Sequence, residues 1–261
     1  MVLKYNGTEV EDVRYNGTQL DFVKYNGTIV WQRYKPGTVL FEKWEHGTYT
    51  YTIPTTTSYR IYAVGPGGGS GILSFSIKNH TSQGQNAANV AAGGSGGYVA
   101  GTFNLTAGDT ITVVVGQLGS NSVKWTLSDG TYTQTGNTGG TTTVKSSKLG
   151  KTILTAYGGK GGSVTQKFSG PLTDVATISG GEGGSWAYTG SPSNIAKANG
   201  YDGKTDNKKG AGSVSATVTQ TNAPYSSYGK GSGGTSTASN SAAGYQQNYN
   251  GSDGYVKIEI V

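Results

Sequence analysis

The sequence predicts an all-β protein, and three observations carry that prediction. Short runs of β-branched and aromatic residues recur between clusters of turn residues, no stretch of the chain shows a 3.6-residue apolar period, and glycine supplies 45 of the 261 residues. Hydrophobic residues make up 33% and charged residues 13%, so the side-chain core is thin. The 18 Tyr, 5 Phe and 4 Trp set the chain apart from disordered sequences, which are highly charged and poor in rings. The length suits one large all-β domain, or one medium domain with a small appendage.

The first 33 residues repeat with a period of ten. Tyr5-Asn6-Gly7-Thr8, Tyr15-Asn16-Gly17-Thr18 and Tyr25-Asn26-Gly27-Thr28 are one tetrapeptide three times. Asn-Gly favours a type I′ turn, which needs positive φ at both central residues. That turn sets the register: Tyr5 opposite Thr8 and Lys4 opposite Glu9, then Arg14 opposite Gln19, then Lys24 opposite Ile29 and Val23 opposite Val30. A lone hairpin is barely stable, so residues 1–33 read as a docking or oligomerisation module carrying Tyr5, Tyr15 and Tyr25 and closed by Trp31. The plainer reading is an extension of the main sheet. Asn-Gly-Thr also fits a glycosylation acceptor, but the turn accounts for both Asn and Gly without a sugar.

Residues 34–261 form the second unit. Val39–Phe41, Thr48–Ile53 and Tyr59–Val64 read as strands, with Pro54–Ser58 as a turn. Ile72–Ile77 is a strand, and Lys78–Ala92 a polar loop containing His80. Tyr98–Leu105 and Thr110–Gly116 flank the turn Thr106–Asp109. Trp125–Leu127 and Thr131–Thr133 suggest a hairpin, followed by strands at Thr141–Val144 and Thr152–Tyr157. Between 158 and 251 only Val175–Ile178 and Val214–Thr219 look like strands, and Asn194–Asn199 is the one stretch able to form a helical turn. The segment therefore reads as either disordered or built from something other than sheet and helix. The last strand, Tyr255–Val261, alternates cleanly and returns the chain to the core.

Six glycine clusters stand between these runs: 65–71, 93–97, 158–162, 180–184, 210–212 and 229–234. Glycine is costly to order, so the clusters are either linkers or places where backbone packs on backbone. Together with the runs Thr48–Pro54 and Tyr59–Val64, the stretch GGSGGYVAGTFNLTAGDTITVVVGQLGS and the closing GSDGYVKIEIV, they resemble the glycine-rich domain of many bacteriophage tail and fibre proteins. The N-terminal repeats resemble those of tail and baseplate proteins. The resemblance implies a jelly-roll or tumour-necrosis-factor-like β-sandwich with polyglycine II segments, left-handed threefold helices like the strands of collagen. The clusters are short and interrupted by Lys160, Glu182, Ala211 and Lys230. Partial polyglycine II packing is expected, with some glycines in turns.

Several chemistries are poorly supported. With no Cys there is neither a disulfide nor a thiolate metal site. Two His without a carboxylate cluster do not make a closed metal centre, and Asp202–Asn207 reads as a turn rather than a calcium loop. Gly93–Gly97 satisfies G-x-S-x-G, but both His46 and His80 precede Ser95 and no helix follows. Gly-Lys-Thr at 150–152 and 203–205 lacks the first glycine of a phosphate loop. No acid pair marks a glycosidase. The net charge of +6 is scattered, unlike a nucleic-acid face. The expectation is a non-enzyme without cofactor, nucleic-acid partner or membrane insertion, and without a signal peptide in the N-terminal residues.

What stands out is aromatic residues among the late glycines: Trp186, Tyr188, Tyr201, Tyr225, Tyr228, Tyr245 and Tyr249. Tyr with Ser, Gly and Asn is the vocabulary of binding loops; the plainer reading has these rings filling the core. With the resemblance, the expected function is a receptor-binding protein or adhesin at the tip of a phage tail or tail-like particle. It would attach to a bacterial surface glycan or protein through loops held by glycine segments. Its other partners would be tail or baseplate proteins at the N-terminal repeats, with a possible homotrimer. The alternative is a purely structural tail or baseplate protein. A surface- or ice-binding face would need regular threonine rows, which Thr55–Thr57 and Thr141–Thr143 do not form.

Overall fold

The computed structural model describes residues 4–261 except 7, 11–12, 21, 77–85, 169–175, 211–212, 226 and 240–244. All its regular elements are strands. The N-terminal repeats form hairpins: β1 (Lys4–Tyr5) with β2 (Thr8–Glu9), β3 (Arg14–Tyr15) with β4 (Thr18–Gln19), and β5 (Phe22–Tyr25) with β6 (Thr28–Gln32). Asn6, Asn16 and Asn26 take φ of 49°, 48° and 47°, and Gly17 and Gly27 take 78°, as a type I′ turn requires. The predicted registers hold at Lys4–Glu9, Arg14–Gln19 and Lys24–Ile29. In the third hairpin a bulge places Trp31, not Val30, opposite Val23. There the buried Trp31 indole donates to Val10 O at 2.7 Å, tying the third hairpin back to the first.

From here the chain shuttles between two ends of the molecule. β7 (Val39–Lys43), β8 (Gly47–Thr52) and β9 (Thr57–Val64) begin a sandwich. Residues 65–70 lead out to β10 (Gly71–Phe75) and β11 (Asn86–Ala91), and 92–97 lead back to β12 (Tyr98–Leu105) and β13 (Thr110–Val115). Residues 116–121 lead out to β14 (Ser122–Thr126) and β15 (Gly130–Thr135), and 136–140 back to β16 (Thr141–Ser146) and β17 (Lys151–Tyr157). Residues 158–162 lead out to β18 (Ser163–Phe168) and β19 (Thr177–Ser179), and 180–185 back to β20 (Trp186–Tyr188) and β21 (Ser193–Ala198). Residues 199–204 lead out to β22 (Thr205–Gly210) and β23 (Val214–Val218), and 219–222 back. Residues 229–232 lead out to β24 (Gly233–Ala238) and β25 (Tyr245–Tyr249), and 250–254 return to β26 (Tyr255–Ile260).

The sandwich is two five-stranded antiparallel sheets, ordered β21-β12-β9-β26-β7 and β20-β17-β16-β13-β8. Both contribute to one core: Tyr59, Ile61, Val99, Phe103, Val256 and Ile258 from the first face Ile111, Val113, Val144 and Leu154 from the second. At the far end stand three smaller sheets, β14-β10-β11-β22, β15-β18-β19 and β23-β24-β25. Leu73, Phe75, Val164 and Phe168 fill one far core, with the Phe75 and Phe168 rings 4.1 Å apart, and Ile72, Val90, Ala216 and Val218 fill another.

Several expectations are corrected. The described residues of 158–251 are not free of sheet: they hold β18 to β25, whose short polar runs pair with partners remote in sequence. Asn194–Asn199 is not a helical turn but belongs largely to β21. β14 and β15 do not pair with each other; β14 runs parallel to β10 while β15 pairs with β18. The polar loop assigned to 78–92 ends in a buried strand, β11; its part through residue 85, with His80, lies outside the described residues. Asp202–Asn207 is no turn, because Asp202 lies in an extended segment and Thr205 opens β22.

Between the two ends the connecting segments lie side by side as polyglycine II. A threefold helix has no internal hydrogen bonds, so its N–H and C=O groups point outward and must be paired by neighbours. Segment 65–70 is surrounded by six others, bonding 92–97 (Gly68 N to Gly94 O, 2.9 Å), 116–121 (Gly119 N to Gly67 O, 2.9 Å), 136–140 (Gly69 N to Asn137 O, 2.9 Å), 158–162 (Gly162 N to Gly69 O, 2.9 Å), 229–232 (Ser232 N to Gly68 O, 2.9 Å) and 250–254 (Gly67 N to Ser252 O, 3.1 Å). Segment 92–97 is a second centre. It touches 65–70, 158–162, 180–185, 199–204 and 229–232 through backbone bonds, and 219–222 through Thr221 Oγ1, which donates to Gly93 O at 2.7 Å.

Three residues per turn means that every third residue faces the same neighbour. In G-G-x-G-G two of the three faces are therefore glycine. Gly158 and Gly161 meet segment 136–140, Gly159 and Gly162 meet the backbone at 91–95, and Lys160 points out. Peripheral segments carry glycine at every third position, on the inward face, as at 116 and 119, 136 and 139, and 200 and 203. The packing is thus wider than the clusters predict: five segments without a predicted cluster take part, while Gly210 ends a strand instead. A Cβ on Gly159 would lie 2.0 Å from Gly94 O. We expect Gly159→Ala to cost at least the roughly 1–3 kcal/mol of overpacking, or a melting-temperature drop of roughly 5–10 °C, while Lys160→Ala next to it leaves melting unchanged. Thermal unfolding followed by circular dichroism checks the pair.

Asp109 closes the β12–β13 turn. It is buried, which pushes its carboxyl up, but hydrogen bonds from Ser146 Oγ (2.5 Å), Lys148 N (2.9 Å) and Ser147 Oγ (2.8 Å) outweigh burial and hold it below the usual carboxylate range. A depressed carboxyl stabilises the fold above its unfolded pKa, and that stability is lost as pH falls. Asp109→Asn is expected to lower the melting temperature at neutral pH, with the difference from the parent chain narrowing below about pH 4. Melting curves across pH 2–7 provide the check.

Candidate binding surfaces

The aromatic residues singled out by the sequence do not converge on one site. Trp186 and Tyr188 stack on β20 at the sandwich edge, centroids 6.1 Å apart, with Lys197 Nζ 4.1 Å from the Trp186 ring. Tyr201 lies in the peripheral segment 199–204 and is 56% exposed. Tyr245 and Tyr249 bracket β25 among the far sheets; Tyr249 is half-buried, its hydroxyl 3.2 Å from Thr235 Oγ1. In the hairpins Tyr15 and Tyr25 are each 70% exposed and Trp31 is buried, while of Tyr5 the backbone alone is described.

Tyr225 and Tyr228 have a different setting. Both lie against the sandwich, where Tyr225 stacks on Tyr98 (4.6 Å, 1°) and Tyr228 on Tyr255 (4.5 Å, 3°). Trp44 extends the column beside Tyr228, and Tyr62 beside Tyr225. The Tyr255 hydroxyl donates to Glu42 at 2.6 Å; burial, then Glu42, push its pKa upward. The Tyr62 hydroxyl donates to Glu259 at 2.5 Å, and burial followed by Glu259 raises it to about 12. These rings pin the glycine-poor excursion to the sandwich, and only their coordinates reveal it.

Two surfaces remain open for ligands. One is the far end, where β10, β11, β14, β15, β18, β19 and β22 to β25 make up the three smaller sheets. Lys124, Lys167, Lys208 and Lys209 stand on these strands, against Asp206 and Asp129 among the described acidic residues. Asp206 pairs with Lys208 at 3.1 Å and accepts from Thr217 N; burial opposes, but these contacts hold its carboxyl below the usual range. Lys124 Nζ lies 4.5 Å from the Tyr132 ring. The second surface is on the flank, where a groove of about 240 Å³ is lined by Tyr201, Asp202, Lys204, Thr219, Gln220 and Asn222. An adjoining cleft of about 470 Å³ reaches Asn248, Tyr249 and Asn250.

The family model for the glycine-rich domain matches residues 44–260, which contain the whole polyglycine array, the far sheets and every sandwich strand but β7. The chain belongs to the glycine-rich domain family. No curated protein matches it. The glycine-rich domain begins at Trp44, so the three hairpins and β7 precede the matched region. In the sequence Lys208-Lys209 is the densest basic spot, but no local signal unites it with Lys124 and Lys167, which lie far from it along the chain.

The rings also sort by what they support. We expect Tyr225→Ala and Tyr228→Ala to destabilise the fold by roughly 1–3 kcal/mol through lost stacking and burial, and Tyr201→Ala and Tyr188→Ala to leave melting within about 1 °C. Denaturant titration of the four variants measures this.

Proposed function

We propose that this chain is an attachment protein of a phage tail or tail-like particle, docked by its N-terminal hairpins and binding a polyanionic bacterial surface glycan with its far end. The observation that carries the reading is the polarity of the molecule. The hairpins run into β7 and the chain ends in β26, adjacent strands of one sandwich sheet, where Gly37 N donates to Ile260 O. The polyglycine array then holds the far sheets and their lysines away from both. An array with cross-bonded backbones makes a rigid spacer, and a rigid scaffold carrying variable loops is the usual platform for recognition. The excess of lysine there would draw phosphate- or carboxylate-bearing glycans by a salt-dependent attraction. On this reading the exposed Tyr15 and Tyr25 of the hairpins would meet tail or baseplate partners, or further copies of the chain in a trimer.

The test is binding of fluorescently labelled chain to intact cells of candidate host bacteria. Labelling is expected to fall about tenfold in a Lys124→Ala, Lys167→Ala, Lys209→Ala triple variant and to weaken between 50 mM and 500 mM salt. Trp186→Ala with Tyr188→Ala should retain it. Absence of labelling on every strain, with the chain folded, would replace this reading with the alternative, a structural tail or baseplate component without a receptor.

A further inference from the structure

The array around segment 92–97 is closed everywhere but at one seam. Going round this centre, 65–70 bonds 158–162 (Gly159 N to Pro66 O, 3.0 Å), which bonds 180–185 (Lys160 N to Glu182 O, 2.8 Å), which is bonded by 199–204 (Gly200 N to Gly184 O, 2.8 Å). On the other side 229–232 bonds 219–222 (Thr221 N to Gly231 O, 3.0 Å). Between 199–204 and 219–222 lies the flank groove. The cause is in the sequence: Thr219-Gln220-Thr221-Asn222 is the one segment without glycine, and the face of 92–97 turned this way carries Ser95 instead of glycine. Side chains stand where backbones would have touched, and the two segments cannot close.

We propose that this seam is a binding site for a single neutral pyranose ring of a glycan, distinct from the charged far end and independent of the attachment reading. The volume, about 240 Å³, is below the roughly 300–1,000 Å³ of pockets for drug-sized ligands and suits one ring. The walls have the chemistry of a polyol site. Tyr201 offers an exposed ring face for the C–H face of a sugar, and ring faces of this kind give large contact at low entropy cost. Asn222 and Gln220 supply amides that both donate and accept, and Thr219 supplies a hydroxyl. Gln220 Nε2 donates to Asn250 O, which orients its side-chain oxygen. Asp202 and Lys204 oppose each other in charge, so the groove holds no net field for phosphate or an acidic sugar.

The walls are also held in place before any ligand arrives. Tyr201 N donates to Ser95 Oγ at 2.7 Å and Ser95 N donates to Tyr201 O at 2.9 Å. Asp202 Oδ1 accepts from Gly183 N at 2.8 Å, and Thr221 is bonded to both Gly231 and Gly93. Little ordering cost remains to be met on binding. The neighbouring cleft shares Thr219 and Gln220, so a second ring of a chain would continue toward Tyr249 and Asn250.

The experiment is a titration of the full ¹⁵N-labelled chain with glucose, galactose and N-acetylglucosamine, and separately with N-acetylneuraminic acid and inorganic phosphate. At least one neutral sugar is expected to shift amides at 201–204 and 219–222 in a saturable way, with the charged probes weaker. Tyr201→Ala should weaken that sugar about tenfold, Tyr201→Phe should stay within about twofold, and Asn222→Ala should lie between them. Backbone spectra of the variants matching the parent chain exclude unfolding. Shifts that are absent, or scattered over the surface for every neutral sugar, overturn the proposal. So does tighter binding of phosphate or neuraminate at the same residues, or a Tyr201→Ala variant that binds like its parent.

Discussion

The structure depends on backbones approaching one another more closely than a Cβ allows. Each threefold segment exposes all its peptide groups, and the array satisfies them only if neighbouring helices touch. On Gly67 a Cβ would meet Lys230 O at 1.9 Å, and on Gly161 it would meet Gly136 O at 1.7 Å. The ordering entropy of so many glycines is offset by hydrogen bonds rather than by apolar burial, which is why a chain with a thin side-chain core can still fold. Pro66 shows the same logic from the other side. It stands in the central segment because its fixed φ suits the threefold helix and it has no N–H to leave unpaired.

This constraint divides the labour among the parts. The sandwich supplies an apolar core and a place where both ends of the chain meet. The array carries the far sheets outward on many parallel supports, so no single connection has to be stiff by itself. The tyrosine column secures the one excursion that lacks enough glycine to join the array by backbone contact alone. Where neither glycine nor a ring fills the space, between 199–204 and 219–222, the packing opens into a groove.

Much of the fold is legible in the sequence where local chemistry decides it. The Asn-Gly turns fix the φ values of Asn6, Asn16 and Asn26 and the pairs nearest each turn, and the alternation of Tyr255–Val261 places Val256, Ile258 and Ile260 in the core. What escapes notice depends on partners far along the chain. Asn-Ala-Ala-Asn-Val-Ala has no strand signal, yet β11 is wholly buried between other sheets, where small residues are needed. Glycines at 116 and 119 or 200 and 203 are too sparse to look like clusters; a period of three, not their density, is the informative pattern. Tyr225 resembles a loop anchor until its stacking on Tyr98 is seen, and the far-end lysines are gathered only by the topology.

The shuttling path has a bearing on how the molecule is made. Segment 65–70, the first centre of the array, lies far before two of its six neighbours, 229–232 and 250–254, in the sequence. The sandwich sheet has the same dependence, since β26 fills the position between β9 and β7. Contacts of such long sequence separation close slowly, and the open edges of β9 and β7 would await the last strand. Assembly of the array is therefore a late, concerted event. The first centre of the array cannot be completed until segments far along the chain have joined it.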